Sequence, residues 1–353
     1  MLSDKAGSVS NKKDVLRMNS TATIITALTA FVVTALFGKR LIPFLTKLKY
    51  GQTINDIGPT WHKNKQGTPT MGGIMFIAGT CAGLLAGLIA LRLTHTELFA
   101  ETARLENIKL AAGVMLALAN AFIGFTDDYV KVVKKRNLGL TARQKTIMQL
   151  LVAILYLITV YLAGDRGTVM IIPFIGQWDM GLFYYPFSVL VIYFLVNAVN
   201  LSDGIDGLCG SLTFVSGVSL LLLCAMLAQY KQGIFAVALA ASCIGFLLYN
   251  FHPAKVFMGD TGSMFLGGSI VAIGFGINLP AFLALAGIVY VLEALSVVIQ
   301  VISFKLTKKR VFKMSPIHHH YEMSGFSEVK IVMSFSLVGI VGGALALWAV
   351  TMI

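Results

Sequence analysis

Apolar stretches of 16–25 residues follow one another along almost the whole chain. Each is about the length a helix needs to cross a bilayer's hydrocarbon core. Inside lipid every backbone group must pair within the chain, which leaves helices or closed barrels. The stretches are continuous rather than alternating, so the pattern predicts helices. Ten fall at about 22–45, 70–91, 109–126, 145–163, 183–199, 208–228, 233–251, 262–277, 280–304 and 331–352. The expected fold class is all-α, a polytopic integral membrane protein with ten transmembrane helices in one domain, 20–353. Only 12% of its residues are charged, against roughly 25% in soluble domains. No soluble domain fits between the spans and no repeat is evident. The segment 164–182, with Pro173 and Gly176, reads as a small surface hairpin. Residues 1–19 read as a polar tail, either disordered or an addition ahead of a start at Met18; they lack the apolar core of a cleavable signal.

Ten spans place both termini on one side of the membrane. Of the 28 lysines and arginines, 19 then fall on the other side, in the loops after spans 1, 3, 7 and 9 and beside the spans they join. The positive-inside rule makes that side cytoplasmic, with both termini outside. The same bias, with anionic lipid, accounts for the net charge of +12 without nucleic acid. The four cysteines lie in or beside apolar runs with no C-x-x-C pair, and read as packing residues rather than disulfides or zinc ligands.

Asp127, Asp128, Asp203, Asp206 and Asp260 all fall on the cytoplasmic side, each within a few residues of a span end. In GFTDDYVKVVKK, 124–135, two like charges stand together where a helix dipole disfavours them. The plain alternative is a solvated helix end with Asp127 paired to Lys131 at i+4. The chemical reading is a site for a divalent cation or for proton transfer, where repulsion is the useful property. In NAVNLSDGIDGL, 197–208, polar groups recur every third position at Asn197, Asn200, Asp203 and Asp206. Gly204 and Gly207 suggest a helix broken into a turn that aims both carboxylates inward.

In NFHPAKVFMGDTGS, 250–263, Asp260, Thr261 or Ser263 can simply cap the eighth span. A cap leaves Asn250, His252, Lys255 and Phe257 unexplained. Gly259 and Gly262 permit close backbone approach to a ligand, and the N-terminus of the span would offer its free N–H groups to an anion. In KLTKKRVFKMSPIHHHYE, 305–322, the cations follow from topology but His318, His319 and His320 do not. Consecutive helical residues point ~100° apart, so the three make a poor single metal site and suit hydrogen bonds to phosphate or sugar oxygens. In HKNKQGTPTMGG, 62–73, Lys65 and Thr70 beside glycines favour an anion at a helix start. Glu293 lies mid-span, with Ser296, Gln300 and Ser303 continuing a polar stripe. It reads as a satisfied interhelix hydrogen bond, while Gln300 is near enough to the cytoplasmic end to reach the site. Carboxylates and cations on one face suit Mg²⁺ held between aspartates and a diphosphate, in a phosphoryl transfer to a lipid acceptor.

TDDYVK, NAVNLSDGIDGL, FMGDTGS and PIHHHYE together resemble the signature motifs of the polyprenyl-phosphate N-acetylhexosamine-1-phosphate transferase superfamily. HHHYE with GTPTMGG resembles its phospho-N-acetylmuramoyl-pentapeptide transferase branch. The resemblance runs from about residue 20 to the C-terminus, with four motifs in order. It implies a bacterial plasma-membrane enzyme of peptidoglycan synthesis with ten helices and a cytoplasmic active site. That enzyme makes lipid I and UMP from UDP-MurNAc-pentapeptide and undecaprenyl phosphate with Mg²⁺, as a homodimer that nucleoside inhibitors bind. Carried over by motif, Asp127 and Asp128 serve the lipid phosphate and the metal, one of them as base, and Asp260 is a metal ligand. His318 joins these as catalytic. Asn197, Asn200, Asp203, Asp206, Asn250, Phe257 and Gly259 shape the nucleotide and sugar pocket. Lys65, Thr70, Lys131, Gln300, His319 and His320 assist donor binding. The rivals are a sibling that transfers GlcNAc-1-phosphate and a transporter. A transporter would need midplane charges and repeat symmetry, and only Glu293 fits it.

Overall fold

The computed structural model describes residues 3–47, 65, 67–133 and 139–353, with residues 3–19 and 133 as backbone only. In chain order the helices are α1 (Ser3–Lys47), α2 (Gly73–Thr94), α3 (Arg104–Val133) and α4 (Ala142–Leu162). The strands β1 (Val169–Ile172) and β2 (Gly176–Asp179) follow, then α5 (Tyr184–Leu201), α6 (Leu208–Met226), α7 (Tyr230–Asn250) and α8 (Gly259–Gly276). Last come α9 (Leu283–Ala286), α10 (Ile288–Thr307), α11 (Ile317–Glu322) and α12 (Glu328–Val350). Helix α1 runs without a break from the polar tail into the first span.

Local chemistry sets several boundaries. Thr141 and Gln144 form a reciprocal capping box at the start of α4. The Ser327 side chain accepts from Lys330 N–H at the start of α12. The expected hairpin is present: β1 and β2 pair antiparallel with Met170 opposite Trp178, and Gly176 takes a φ of +105° where the chain turns.

Among the described residues nine helices are long and apolar enough to cross a membrane. Exposed apolar side chains such as Leu28 and Leu36 on α1, Val298 and Ile302 on α10, and Leu337 and Ile340 on α12 face outward, as lipid contact demands. The chain is a multi-pass membrane protein. The expected span at 262–277 is α8, which is glycine-rich and buried at every residue from Thr261 to Gly276. Helices rather than lipid surround it, so it needs less hydrophobicity than its neighbours. The expected span at 280–304 is divided at Gly287 into α9 and α10. There Ser216 of α6 donates to the Ala286 carbonyl at 2.8 Å, satisfying a backbone group that the break frees.

Small residues let helix backbones meet where apolar burial alone drives little association. Gly79, Gly83 and Gly87 form a stripe on α2 that receives Thr34, Ala30 and Thr26 of α1. Gly268 of α8 lies against Ala117 of α3, and Gly267 against Val196 of α5. At the centre Phe76 packs edge-on to Phe246 at 5.0 Å and beside Phe265 at 6.2 Å, joining α2, α7 and α8. Cys209, Cys224 and Cys243 are buried and unpaired in this packing.

Gly73 begins α2 with its backbone against Gly262 of α8, and its N–H donates to the Met258 carbonyl at 3.0 Å. A methyl group on Gly73 would overlap the Gly262 backbone. Gly73→Ala should therefore cost about 1–3 kcal/mol, read as a lower Tm of the detergent-purified protein. An unchanged Tm would mean that α2 and α8 are not held at backbone contact.

Candidate active site

The last turn of α3 meets the first turn of α8, and Asp128 joins them. One carboxylate oxygen accepts from Asp260 N–H at 3.3 Å; the other accepts from Thr261 N–H at 2.9 Å and from Thr261 Oγ1 at 2.7 Å. Asp128 is thus the cap of α8, supplied by another helix, with a negative charge where the dipole favours it. Two expectations are corrected here. No residue of 260–263 caps α8 by its own side chain, and the N–H groups of Asp260 and Thr261 are occupied by Asp128 rather than open to a bound anion. The glycines are likewise used for packing. Gly259 has φ +72°, and a Cβ there would lie 2.5 Å from Asp128 Oδ2 and 2.9 Å from Thr70 Oγ1. Gly262 meets Gly73.

Asp127, one residue earlier, is also buried but is held differently. Its Oδ2 lies 2.6 Å from Lys131 Nζ, the i,i+4 pair read from the sequence, and its Oδ1 accepts from Leu140 N–H at 2.8 Å. Asp260 Oδ2 takes Lys131 and Lys145, each at 3.0 Å. Asp260 Oδ1 takes Asn200 Nδ2 at 2.8 Å, and the same amide nitrogen lies 2.8 Å from Ser263 Oγ. Oxygens of Asp127, Asp128 and Asp260 all fall within 4.8 Å of one another. Three carboxylates at that spacing face only two ammonium groups, and all offered atoms are hard oxygens. The donor set and the unbalanced negative charge fit a divalent cation such as Mg²⁺.

A second cluster forms on the turn between α5 and α6. Lys65 Nζ lies 2.7 Å from Asp206 Oδ1 and 2.6 Å from Glu328 Oε1. Glu328 Oε2 also accepts from Asp206 N–H at 2.9 Å. Asp206 Oδ2 takes Ala254 N–H at 2.9 Å and lies 3.1 Å from His252 Nδ1. The turn is the broken helix the glycines suggest, with Gly207 at φ +78°. Asp203 lies between the clusters. Burial first, then the charges of Asp260, Asp128 and Asp206, push its carboxyl up to about 8. This shift favours the neutral carboxyl, which would repel an anionic substrate less than a carboxylate.

Several expected ligand contacts are occupied by the protein itself. Asn250 donates to the Val256 carbonyl at 2.9 Å and accepts from Gly207 N–H at 3.1 Å, tying two loops together. Phe257 is clasped through its backbone by Pro69 and Gly72, both at 2.8 Å. Asn197 faces away, donating to Gln149 of α4 at 3.1 Å and to the Tyr193 carbonyl at 2.8 Å. Gln300 does not reach the carboxylates. Its Oε1 accepts from Val311 and Phe312 N–H at 3.0 Å and its Nε2 donates to the Phe312 carbonyl at 2.9 Å, which braces the basic loop. The three histidines have three different partners: His318 with Glu293 at 3.1 Å, His319 with Glu322 at 2.5 Å, and His320 Nδ1 with Lys313 N–H at 3.1 Å. They do not converge, as the ~100° spacing predicts. Lys145 and Glu328 are the residues that motif spacing misses; each reaches the site from a helix start distant in sequence.

Comparison with known proteins agrees with this geometry. Residues 110–278 match the model of glycosyl transferase family 4, and residues 65–77 match signature 1 of the phospho-N-acetylmuramoyl-pentapeptide-transferases. A relative from Caldanaerobacter subterraneus subsp. tengcongensis is 43% identical over 319 residues, covering 90% of this chain and 95% of its own. One from Bacillus subtilis is 43% identical over 329 residues, covering 92% and 97%. One from Pelotomaculum thermopropionicum is 44% identical over 326 residues, covering 90% and 95%. All three are named phospho-N-acetylmuramoyl-pentapeptide-transferase.

Asp128 and Asp127 should separate in a stability measurement. Asp128→Ala leaves Asp260 and Thr261 N–H without their acceptor and should cost about 2 kcal/mol or more. Asp127→Ala removes one repelled carboxylate and should lower Tm less. Equal losses in thermal unfolding would refute the capping role.

Proposed function

The chain belongs to the phospho-N-acetylmuramoyl-pentapeptide-transferase family, and from that premise we propose that it transfers phospho-MurNAc-pentapeptide from UDP-MurNAc-pentapeptide to undecaprenyl phosphate. The products are lipid I and UMP. The observation that carries this reading is the meeting of Asp127, Asp128 and Asp260 with Lys131 and Lys145 at adjoining helix ends. The chain crosses the bacterial plasma membrane ten times, α8 being one crossing, with both termini outside, the site facing the cytoplasm, and two copies forming a homodimer.

In this reading Asp260 and Asp127 would hold Mg²⁺, which would supply charge neutralisation to the reacting phosphates. Lys131 and Lys145, already on these carboxylates, turn to the non-bridging oxygens of the donor diphosphate. Lys65, Asn200, Asp203, Asp206 and Phe257 receive the uridine and sugar, and the His318–His320 segment meets the sugar-peptide end. An oxygen of the lipid phosphate attacks the phosphorus that carries the sugar. The bond from that phosphorus to the bridging oxygen breaks, and the electron pair leaves with UMP. Asp127 would accept any proton on the attacking phosphate, a choice supported by the hold of Asp128 on the α8 backbone. Transfer is direct, since among the described residues no obvious nucleophile stands apart from the carboxylates.

The test is UMP release by the purified protein in detergent with undecaprenyl phosphate and Mg²⁺, using UDP-MurNAc-pentapeptide and UDP-GlcNAc as parallel donors. UMP from the muramoyl donor alone is expected. UMP from UDP-GlcNAc alone would assign the sibling reaction, and none from either, in folded protein, would refute the transferase reading. EDTA should abolish turnover and Mg²⁺ restore it; a rate that survives chelation would overturn the metal assignment. Asp260→Asn should lose activity, and near-normal turnover with Mg²⁺ would remove Asp260 from the site.

A further inference from the structure

Glu293 of α10 and His318 of α11 are both fully buried. Glu293 Oε1 lies 3.1 Å from His318 Nδ1, and Oε2 faces the His318 backbone N–H at 3.5 Å. The sequence marks Glu293 as a satisfied interhelix hydrogen bond, and the bond is present. Its partner, however, is the histidine expected at the reaction site. A carboxylate in this pair accepts, so the proton of the neutral ring sits on Nδ1. Nε2 is buried and has no hydrogen-bond partner among the described residues. It faces Gly204 so closely that a methyl group there would overlap the ring. Gly204 stands beside Asp203 in the turn that carries Asp206.

We propose that Glu293 is a positioning residue that locks His318 in the Nδ1–H tautomer, so that the ring offers the donor substrate a bare acceptor at Nε2. Such a nitrogen takes a hydrogen bond from a hydroxyl or an amide N–H. It repels a phosphate oxygen, which has lone pairs and no proton to share. The inference rests on the reading of this turn as part of the donor pocket, and it assigns His318 to the sugar or peptide rather than to the diphosphate. The opposite assignment requires a proton on Nε2. That N–H would be buried and aimed at the Gly204 methylene, at the full cost of an unmade hydrogen bond. A lone pair facing the Gly204 Cα–H instead makes a weak favourable contact. The donor reaches Nε2 by displacing that methylene. Glycine at 204 is what allows the turn to close over the ring in its absence.

Two measurements test this, and the first is independent of turnover. With ¹⁵N-histidine-labelled protein in lipid nanodiscs, and His318 assigned by comparison with His318→Gln, its ring should show a protonated Nδ1 and an unprotonated Nε2. A protonated Nε2, alone or in a doubly protonated ring, overturns the proposal even if the enzyme is active. Absence of UMP formation by wild type would instead defeat the proposed reaction and leave the tautomer result standing. In active protein, Glu293→Gln should lower kcat/KM for the nucleotide donor by roughly 10–100-fold, with KM for undecaprenyl phosphate unchanged. Glu293→Asp, which keeps the acceptor charge, should recover part of the loss. The double variant Glu293→Gln/His318→Gln should be no worse than His318→Gln alone; losses that add would show that Glu293 does not act through His318.

Discussion

Asp128 holds the start of α8 from the end of α3, and the position of every other carboxylate in the first cluster follows from that bond. A buried helix N-terminus needs acceptors for its free N–H groups. Here those acceptors come from a neighbouring helix, so capping α8 also fixes α3 against it. The approach is close because Gly124 of α3 has no side chain where it meets the Asp260 backbone. With α3 and α8 fixed in this way, Asp127 faces Asp260, and Lys131 lies within reach of both.

Charge is arranged in stages around that joint. Lys131 and Lys145 offset part of the first cluster, Lys65 offsets Asp206 and Glu328, and the carboxyl of Asp203 between them is pushed toward its neutral form by burial and its acidic neighbours. Five aspartates can therefore stand on one membrane face without presenting five charges to an anionic substrate. The lysines are bound through side-chain ion pairs that a phosphate can replace, whereas Asp128 is bound through the backbone of a helix. The first kind of contact suits exchange with substrate and the second suits permanence.

Much of this was legible in the sequence, because membrane crossing and turn chemistry are local properties. The apolar runs, the hairpin around Gly176, the break at 202–207 and the clustering of aspartates at span ends all depend on nearby residues. The Asp127–Lys131 pair is visible for the same reason. What local reading misplaced were side chains whose partners lie far along the chain. Asn250 and Gln300 have the polarity of ligand-binding residues, but their amides pair with loop backbone. Asp128 stands with Asp127 and Asp260 in the carboxylate cluster as expected, but its hold on the α8 backbone was not visible because those groups lie more than a hundred residues on. Lys145 and Glu328 sit at ordinary helix starts, and nothing in their spacing signals the carboxylates and ammonium they meet. Glu293 announces itself by its charge in an apolar run, yet its partner is recognisable only once α10 and α11 are brought together.

The composition of α8 has a consequence for how the protein is made. A segment this rich in glycine, with an aspartate in its first turn, gains little by partitioning into lipid by itself. Most of the helices packed on it, α2, α3, α5, α6 and α7, are earlier in the chain, and α9 follows it. A ribosome therefore delivers α8 after most of its surround has been synthesised. Placement of this one helix becomes an act of assembly rather than of partitioning, and the carboxylate cluster is completed only when the earlier helices accept it.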